Sequence, residues 1–177
     1  MLGAALRDRF LTARAGLIVG PFDPLYRLGW WLDRIAAGGR VVVPGNTAQP
    51  IALVDARDLA GWLVEVAERG LSGPVNTTGP AGMTTLGGLL DTCRAVTGSD
   101  AEWVRVPDAH LLAAGVEEWV HLPLWLAPET APTAWEVDTT RARELGLDAG
   151  RRPAGAPGRP GAARLPPELE AALLADG

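Results

Sequence analysis

The sequence predicts an α/β fold, and three observations lead there. Short apolar runs recur at Leu17–Val19, Arg40–Val43 and Ile51–Val54, and such runs suit strands of a parallel sheet buried on both faces. Between and after them lie segments whose apolar residues return at helical spacing. Glycine or Gly-Pro closes most of these segments, so each run reads as a separate element. Strands alternating with helices are the pattern of a sheet with helices packed upon it.

Taken in order, LTARAGLIVG over 11–20 predicts a strand centred on Leu17, Ile18 and Val19 and closed by Gly20-Pro21. Pro24 suits the first turn of a helix, where its missing N–H is not needed. That helix runs from Leu25 to about Ala37, with Leu28, Trp31, Leu32 and Ile35 on one face and Gly38-Gly39 as the stop. Arg40–Val43 and Ile51–Val54 predict two short strands, the first ended by Pro44-Gly45. Asp58 is placed to cap a helix Leu59–Glu68, whose Leu59, Trp62, Leu63 and Val66 form the buried stripe before Gly70. Pro74–Thr78 predicts a strand leading into the turn Gly79-Pro80-Ala81-Gly82. Thr84 or Thr85 then caps a helix to about Val96 that buries Leu86, Leu89, Leu90 and Cys93 and stops at Gly98. Glu102–Val106 alternates as a strand does, and Asp108 opens a short helix. Ala131–Gly146 is expected to hold a strand around Trp135 and a small helix from Asp138 to Leu145. From Gly150 the tract GRRPAGAPGRPGAAR has almost nothing to bury and predicts mobile chain, followed by one or two isolated helical turns in Pro167–Ala175.

Composition removes several kinds of chemistry. A net charge of -5, with no basic stripe before the tail, argues against nucleic acid as a partner. The apolar stretch Leu111–Leu126 is interrupted by Glu117, Glu118 and His121, so no membrane span is expected. The single cysteine, Cys93, excludes an internal disulfide and fits a reducing, cytoplasmic compartment. All 16 basic residues are arginine. Without lysine the chain has no Schiff-base nucleophile, no phosphate-loop lysine and no tyrosine–lysine proton relay. Tyrosine occurs once, at Tyr26. Ser72 and Ser99 are the only serines and neither lies in Gly-x-Ser-x-Gly, which argues against a serine hydrolase. His110 and His121 lack partners at ligand spacing, so no metal is expected. The turn from Gly79 to Gly82 joins a strand to a helix but lacks the lysine and third glycine of a phosphate cradle.

Four segments in order carry a more specific signal: RAGLIVGPFDPLYR at 14–27, VDARDLAGW at 54–62, VNTTGP at 75–80 and LGGLLDTCRAVTGSD at 86–100. Together they resemble the later half of extended short-chain dehydrogenase/reductase proteins, in the NAD-dependent epimerase/dehydratase family, from about Leu6 to about Gly146. The resemblance implies a partial Rossmann-like fold in residues 1–149, the last strands of a parallel sheet plus the smaller substrate-binding subdomain, with 150–177 as a tail. It also implies NAD or NADP as the family's cofactor and a small-molecule substrate bearing a hydroxyl or ketone. On the same resemblance Gly20 and Pro21 border the nicotinamide, at the carboxyl edge of a parallel strand where such folds place ligands. Asp23, Arg27, Gln49 and Trp125 are assigned to the substrate side, and Trp119 and Trp125 fit a lid over an apolar substrate. Gln49 stands where relatives often have arginine, so a phosphorylated or nucleotide-linked substrate is not expected.

Each assignment has a plainer reading beside it. Gly20-Pro21 also serves as a simple strand-to-helix turn, and Arg27 as a solvated residue at a helix start. Asp55 and Asp58 suggest acid/base or metal chemistry less than a helix cap screened by Arg57. The family's glycine-rich fingerprint and Tyr-x-x-x-Lys pair do not occur in this sequence, and Met1–Phe10 resembles the helix that follows that pair. A truncated member with no catalytic residue of its own, inactive alone, is therefore expected; the alternative is a non-catalytic binding module on the same partial fold. An uncovered first strand and helix would leave an apolar face through which the chain self-associates.

Overall fold

The computed structural model describes residues 10–130, 132–149 and 165–175. Within them run β1 (Leu11–Ala15), β2 (Leu17–Val19), α1 (Arg27–Ala36), β3 (Arg40–Pro44), β4 (Pro50–Ile51), β5 (Leu53–Asp55), α2 (Ala56–Glu68) and β6 (Gly73–Thr77). The order continues with β7 (Thr84–Thr85), α3 (Leu86–Thr97), β8 (Glu102–Val106), α4 (Asp108–Ala113), α5 (Thr140–Glu144) and α6 (Pro167–Ala175). The fold is mixed α/β, with three short parallel strand pairs and one antiparallel pair among the described residues. The expectations for residues 1–9 and for the tract 150–164 lie outside the described residues. No helix among the described residues is long and apolar enough to cross a membrane. The chain divides into one unit drawn from Met1–Pro21, Ala52–Met83 and Thr133–Ala156, and a second from Phe22–Ile51, Thr84–Pro132 and Pro157–Gly177.

In the first unit the expected strand 11–20 is two pieces broken at Gly16. A Cβ there would fall 2.5 Å from the Thr78 side chain, so the chain passes too close for any larger residue. β1 pairs in parallel with β6, from Leu11 opposite Gly73 to Ala15 opposite Thr77. β2 pairs in parallel with β5, Leu17 opposite Leu53. Leu17 and Val19 are buried but Ile18 is 36% exposed, so β2 is covered on one face rather than two. The helix expected from Leu59 begins three residues earlier, because Asp55 rather than Asp58 is the cap: its carboxylate accepts from Arg57 N at 2.8 Å. Asp58 sits in the first turn instead, where a negative charge suits the helix dipole. Val54, Leu59, Trp62, Val66, Val75, Ala142 and Leu147 form this unit's core. Trp62 also donates from its indole to Leu145 O at 3.2 Å, which ties α2 to the chain after α5. The strand expected around Trp135 is a run of turns, and α5 is shorter than expected. Asp138 accepts from Thr140 N at 2.9 Å just before it, and that bond holds the Asp138 carboxyl below its usual range.

In the second unit the helix expected from Leu25 starts at Arg27. Tyr26 adopts a left-handed backbone with φ 50°, which breaks the turn that Pro24 would have begun. The buried face of α1 is Leu28, Trp30, Trp31 and Ile35. β3 pairs in parallel with β8, Arg40 opposite Glu102, and β4 pairs antiparallel with β7. The strand expected over Ile51–Val54 is thus split between β4 and β5, with separate partners. Thr85 is the cap of α3, its hydroxyl accepting from Gly88 N at 3.0 Å, and Gly98 closes the helix at φ 64°. Pro167–Ala175 is not an isolated turn. It is a nine-residue helix packed against β3, with Leu173 buried and Leu165 buried just before it.

Cys93, buried on α3, provides a pH test of this packing. Burial disfavours the thiolate and raises the thiol to about 11, above the ordinary value of about 8.5. The unfolded thiol therefore ionises first, so its contribution is intact below about pH 8.5 and lost progressively towards about pH 11. Urea midpoints measured across that window should fall further for the natural chain than for Cys93→Ala, and native Cys93 should resist iodoacetamide at pH 8. Alkylation at the rate of a free thiol would contradict the burial.

Candidate functional site

The residues assigned from the sequence fall into separate groups. In the first unit Gly20 and Pro21 follow β2 at its carboxyl end, and Gly20 takes φ 130°. A Cβ on Gly20 would stand 3.5 Å from both Asp55 carboxylate oxygens and from Ala56 N, so the loop backs directly onto the capped start of α2. Asp55 is 4% exposed and is bonded by Arg57. Arg57 gives it the backbone N–H at 2.8 Å, Nε at 2.9 Å and Nη2 at 2.7 Å. The hydrogen bonds to Asp55 raise the Arg57 guanidinium above its ordinary pKa. Asp55 thus caps a helix and pairs a cation, and the capping role expected of Asp58 is its own. Asp58 and Arg57 also border a small polar recess of 140 Å³, together with Glu65 and Asp148. Among the described residues no group of three or more His, Cys, Asp or Glu side chains is placed to hold a metal.

In the second unit Asp23, Arg27 and Trp119 come together. Arg27 is the first residue of α1, and its side chain is only 16% exposed. Its Nη2 lies 3.9 Å from Asp23 Oδ1, and its Cζ stands 5.6 Å from the centroid of the Trp119 ring. Asp23 is itself oriented locally, since the same oxygen accepts from Leu25 N at 3.0 Å. Arg27 Nε is buried and makes no hydrogen bond. The arrangement therefore holds a cation, its Nε buried and unbonded, beside a carboxylate acceptor. A ligand oxygen that accepts, next to a hydroxyl that donates, is the chemistry it suits.

Gln49 and Trp125 form a second group in this unit, and neither side chain is laid out as a contact surface. Gln49 is 5% exposed; its Nε2 donates to Leu124 O at 2.8 Å and its Oε1 accepts from Leu126 N at 3.0 Å. Both ends of the amide are thus used to fix the backbone on either side of Trp125. Trp125 is 0% exposed, a core residue rather than a lid, and its indole N–H has no acceptor. Trp119 is half-buried with a left-handed backbone, φ 65°, and its N–H donates to Trp125 O at 3.1 Å. Glu118 bonds Ala127 N and, at 2.8 Å, the Thr130 hydroxyl, so residues 118–130 form a self-tied loop. Sequence reasoning missed this tie and the clamp at Gln49. Neither has a local signal, because the partners of Gln49 lie 75 and 77 residues away.

The one tyrosine is also accounted for. Tyr26 donates its hydroxyl to Asp33 Oδ2 at 2.9 Å, one face along α1. No protein-family model matches the chain, and no curated protein matches it. Among solved structures, the crystal structure of UDP-N-acetylglucosamine 4-epimerase from Bacillus cereus is similar, with 14% identity and a TM-score of 0.48. The match covers 81% of this chain and 48% of that one, so the chain spans about half the length of that structure.

Proposed function

We propose that this chain is the substrate-side part of an NAD(P)-dependent epimerase, dehydratase or reductase, and that it turns nothing over by itself. The single observation behind the first half is Arg27: a largely buried guanidinium with an unbonded Nε, set between Asp23 and Trp119 in the segment that resembles the family's substrate wall. The second half rests on chemistry that the chain does not contain. Proton transfer at a hydroxyl-bearing carbon in this family uses a tyrosine made acidic by lysine. The sequence has no lysine, and its only tyrosine is turned to Asp33.

NAD or NADP would supply the hydride acceptor in such an enzyme. Gly20 and Pro21 would border the nicotinamide of that group; the loop backs onto the Asp55–Arg57 pair, whose cation is already committed to Asp55, so it offers a pyrophosphate no fixed cation. The ligand that suits Arg27 beside Asp23 is a small hydroxy-ketone, whose carbonyl oxygen accepts and whose hydroxyl donates. The test is a titration of the full chain with dihydroxyacetone, followed through the Arg27 Nε–H resonance, alongside an assay of NADH and NADPH oxidation. A saturable shift of that resonance, lost in Arg27→Met, is expected, with no oxidation of either cofactor. An unmoved Nε–H would sink the substrate assignment, and cofactor-dependent turnover would sink the claim of inactivity.

A further inference from the structure

We propose that α6 is a releasable plug in a groove of the second unit, and that the groove recognises a short acidic helix bearing a leucine one turn after its glutamate. The floor of the groove is β3, whose Val41, Val42 and Val43 are fully buried, and α6 packs against it. Only Leu165 and Leu173 of the segment are buried, while Glu168, Ala171, Ala172 and Ala175 remain exposed. Two guanidinium groups supply the selectivity. Arg34 Nε donates to Glu170 Oε1 at 2.8 Å, and Arg40 Nη1 donates to Leu174 O at 2.7 Å. The second contact lies in the last turn of the helix, where unsatisfied carbonyls and the dipole both favour a cation.

The groove is built without its occupant. Arg34 also donates from Nη1 to Gly38 O at 3.2 Å and from Nη2 to Arg40 O at 2.5 Å, bonds that involve only α1 and the chain entering β3. Its Nε edge therefore keeps its aim when α6 leaves, and a guanidinium already fixed loses little freedom on meeting a carboxylate. The occupant, by contrast, is weakly specified as a core element. Apolar residues are spread around α6 instead of forming one stripe, and two buried leucines are a small hold on a helix of nine residues. Elements held by so few buried contacts open at low cost, independently of the core. A helix of the same chemistry, presented by another molecule, meets the same two arginines.

Hydrogen exchange on the full chain tests release, and a labelled peptide of residues 165–175 tests recognition. Glu170→Arg is expected to speed exchange of the α6 amides by about tenfold or more while the Val41–Val43 amides keep their protection. Glu168→Arg makes the same change of charge in the same first turn, and so meets the same helix dipole, but removes no bonded carboxylate; it should speed α6 exchange far less than Glu170→Arg. The peptide should bind the Glu170→Arg chain about tenfold more tightly than the natural chain, where α6 competes for the groove. A peptide carrying Glu170→Arg should not bind. Exchange of α6 in step with β3 in every chain, or equal effects of the two glutamate substitutions, would overturn the release. Peptide binding that ignores the state of α6, or no binding to the Glu170→Arg chain, would overturn the recognition.

Discussion

Trp31→Ala is expected to destabilise the second unit by about 4–5 kcal/mol. The ring is 0% exposed, so truncation opens a cavity that the surrounding helix and strands cannot fully close. Two specific contacts are lost with it. The indole N–H donates to Pro123 O at 2.7 Å, a buried bond, and that carbonyl is left without its donor. Trp30 meets the Trp31 ring edge to face at 4.6 Å, an arrangement that contributes about 1 kcal/mol beyond simple burial. Urea unfolding followed by circular dichroism measures the total. Trp31→Phe separates the parts, because it keeps most of the buried volume and loses the hydrogen bond; a loss of about 1–2 kcal/mol is expected for it. A loss below about 1 kcal/mol for the alanine variant would mean that α1 is not anchored through this residue.

Trp31 also marks the line between what the sequence disclosed and what it did not. Its place on the buried face of a helix followed from spacing, as did the strand at Glu102–Val106 and the stop of α3 at Gly98, while the cap of α3 was narrowed to Thr84 or Thr85, of which Thr85 serves. These signals are local, each contained within a turn or two of chain. The errors arose where one local pattern admitted two outcomes. Asp55 and Asp58 both suit a cap, and the end of β5 at Asp55 decided between them. Pro24 favoured an early helix start, and the left-handed turn at Tyr26 overrode it. The site was less legible still. The placement of Trp119 against Arg27 and of residues 124–126 against Gln49 are meetings between distant parts of the chain, which no periodicity encodes. The docking of α6 belongs to the same class: its composition gave a helix, while the burial of Leu165 and Leu173 depended on what lay opposite.

Gly79→Ala is the second large effect, and it arises where the sequence suggested only a turn from a strand into a helix. A Cβ at Gly79 would lie 2.5 Å from Leu53 O, 3.1 Å from Leu53 N and 2.5 Å from Met83 Sδ. The Met83 side chain can swing aside at little cost, since it is 38% exposed. The Leu53 backbone cannot, because Leu53 opens β5 and is held opposite Leu17 in the parallel ladder. Relief must come from shifting β5, and Asp55 at its end caps α2 and pairs Arg57. One methyl group therefore reaches strand register, helix cap and ion pair together, and a loss of about 3 kcal/mol is expected. Gly82, in the same turn, is the control. It has a left-handed φ of 74° but open space around it, so Gly82→Ala meets only the backbone penalty of about 1 kcal/mol. Thermal unfolding of the two variants side by side separates close approach from conformational freedom. Equal losses would mean that the turn alone matters, and that β5 yields where the ladder with β2 says it should hold.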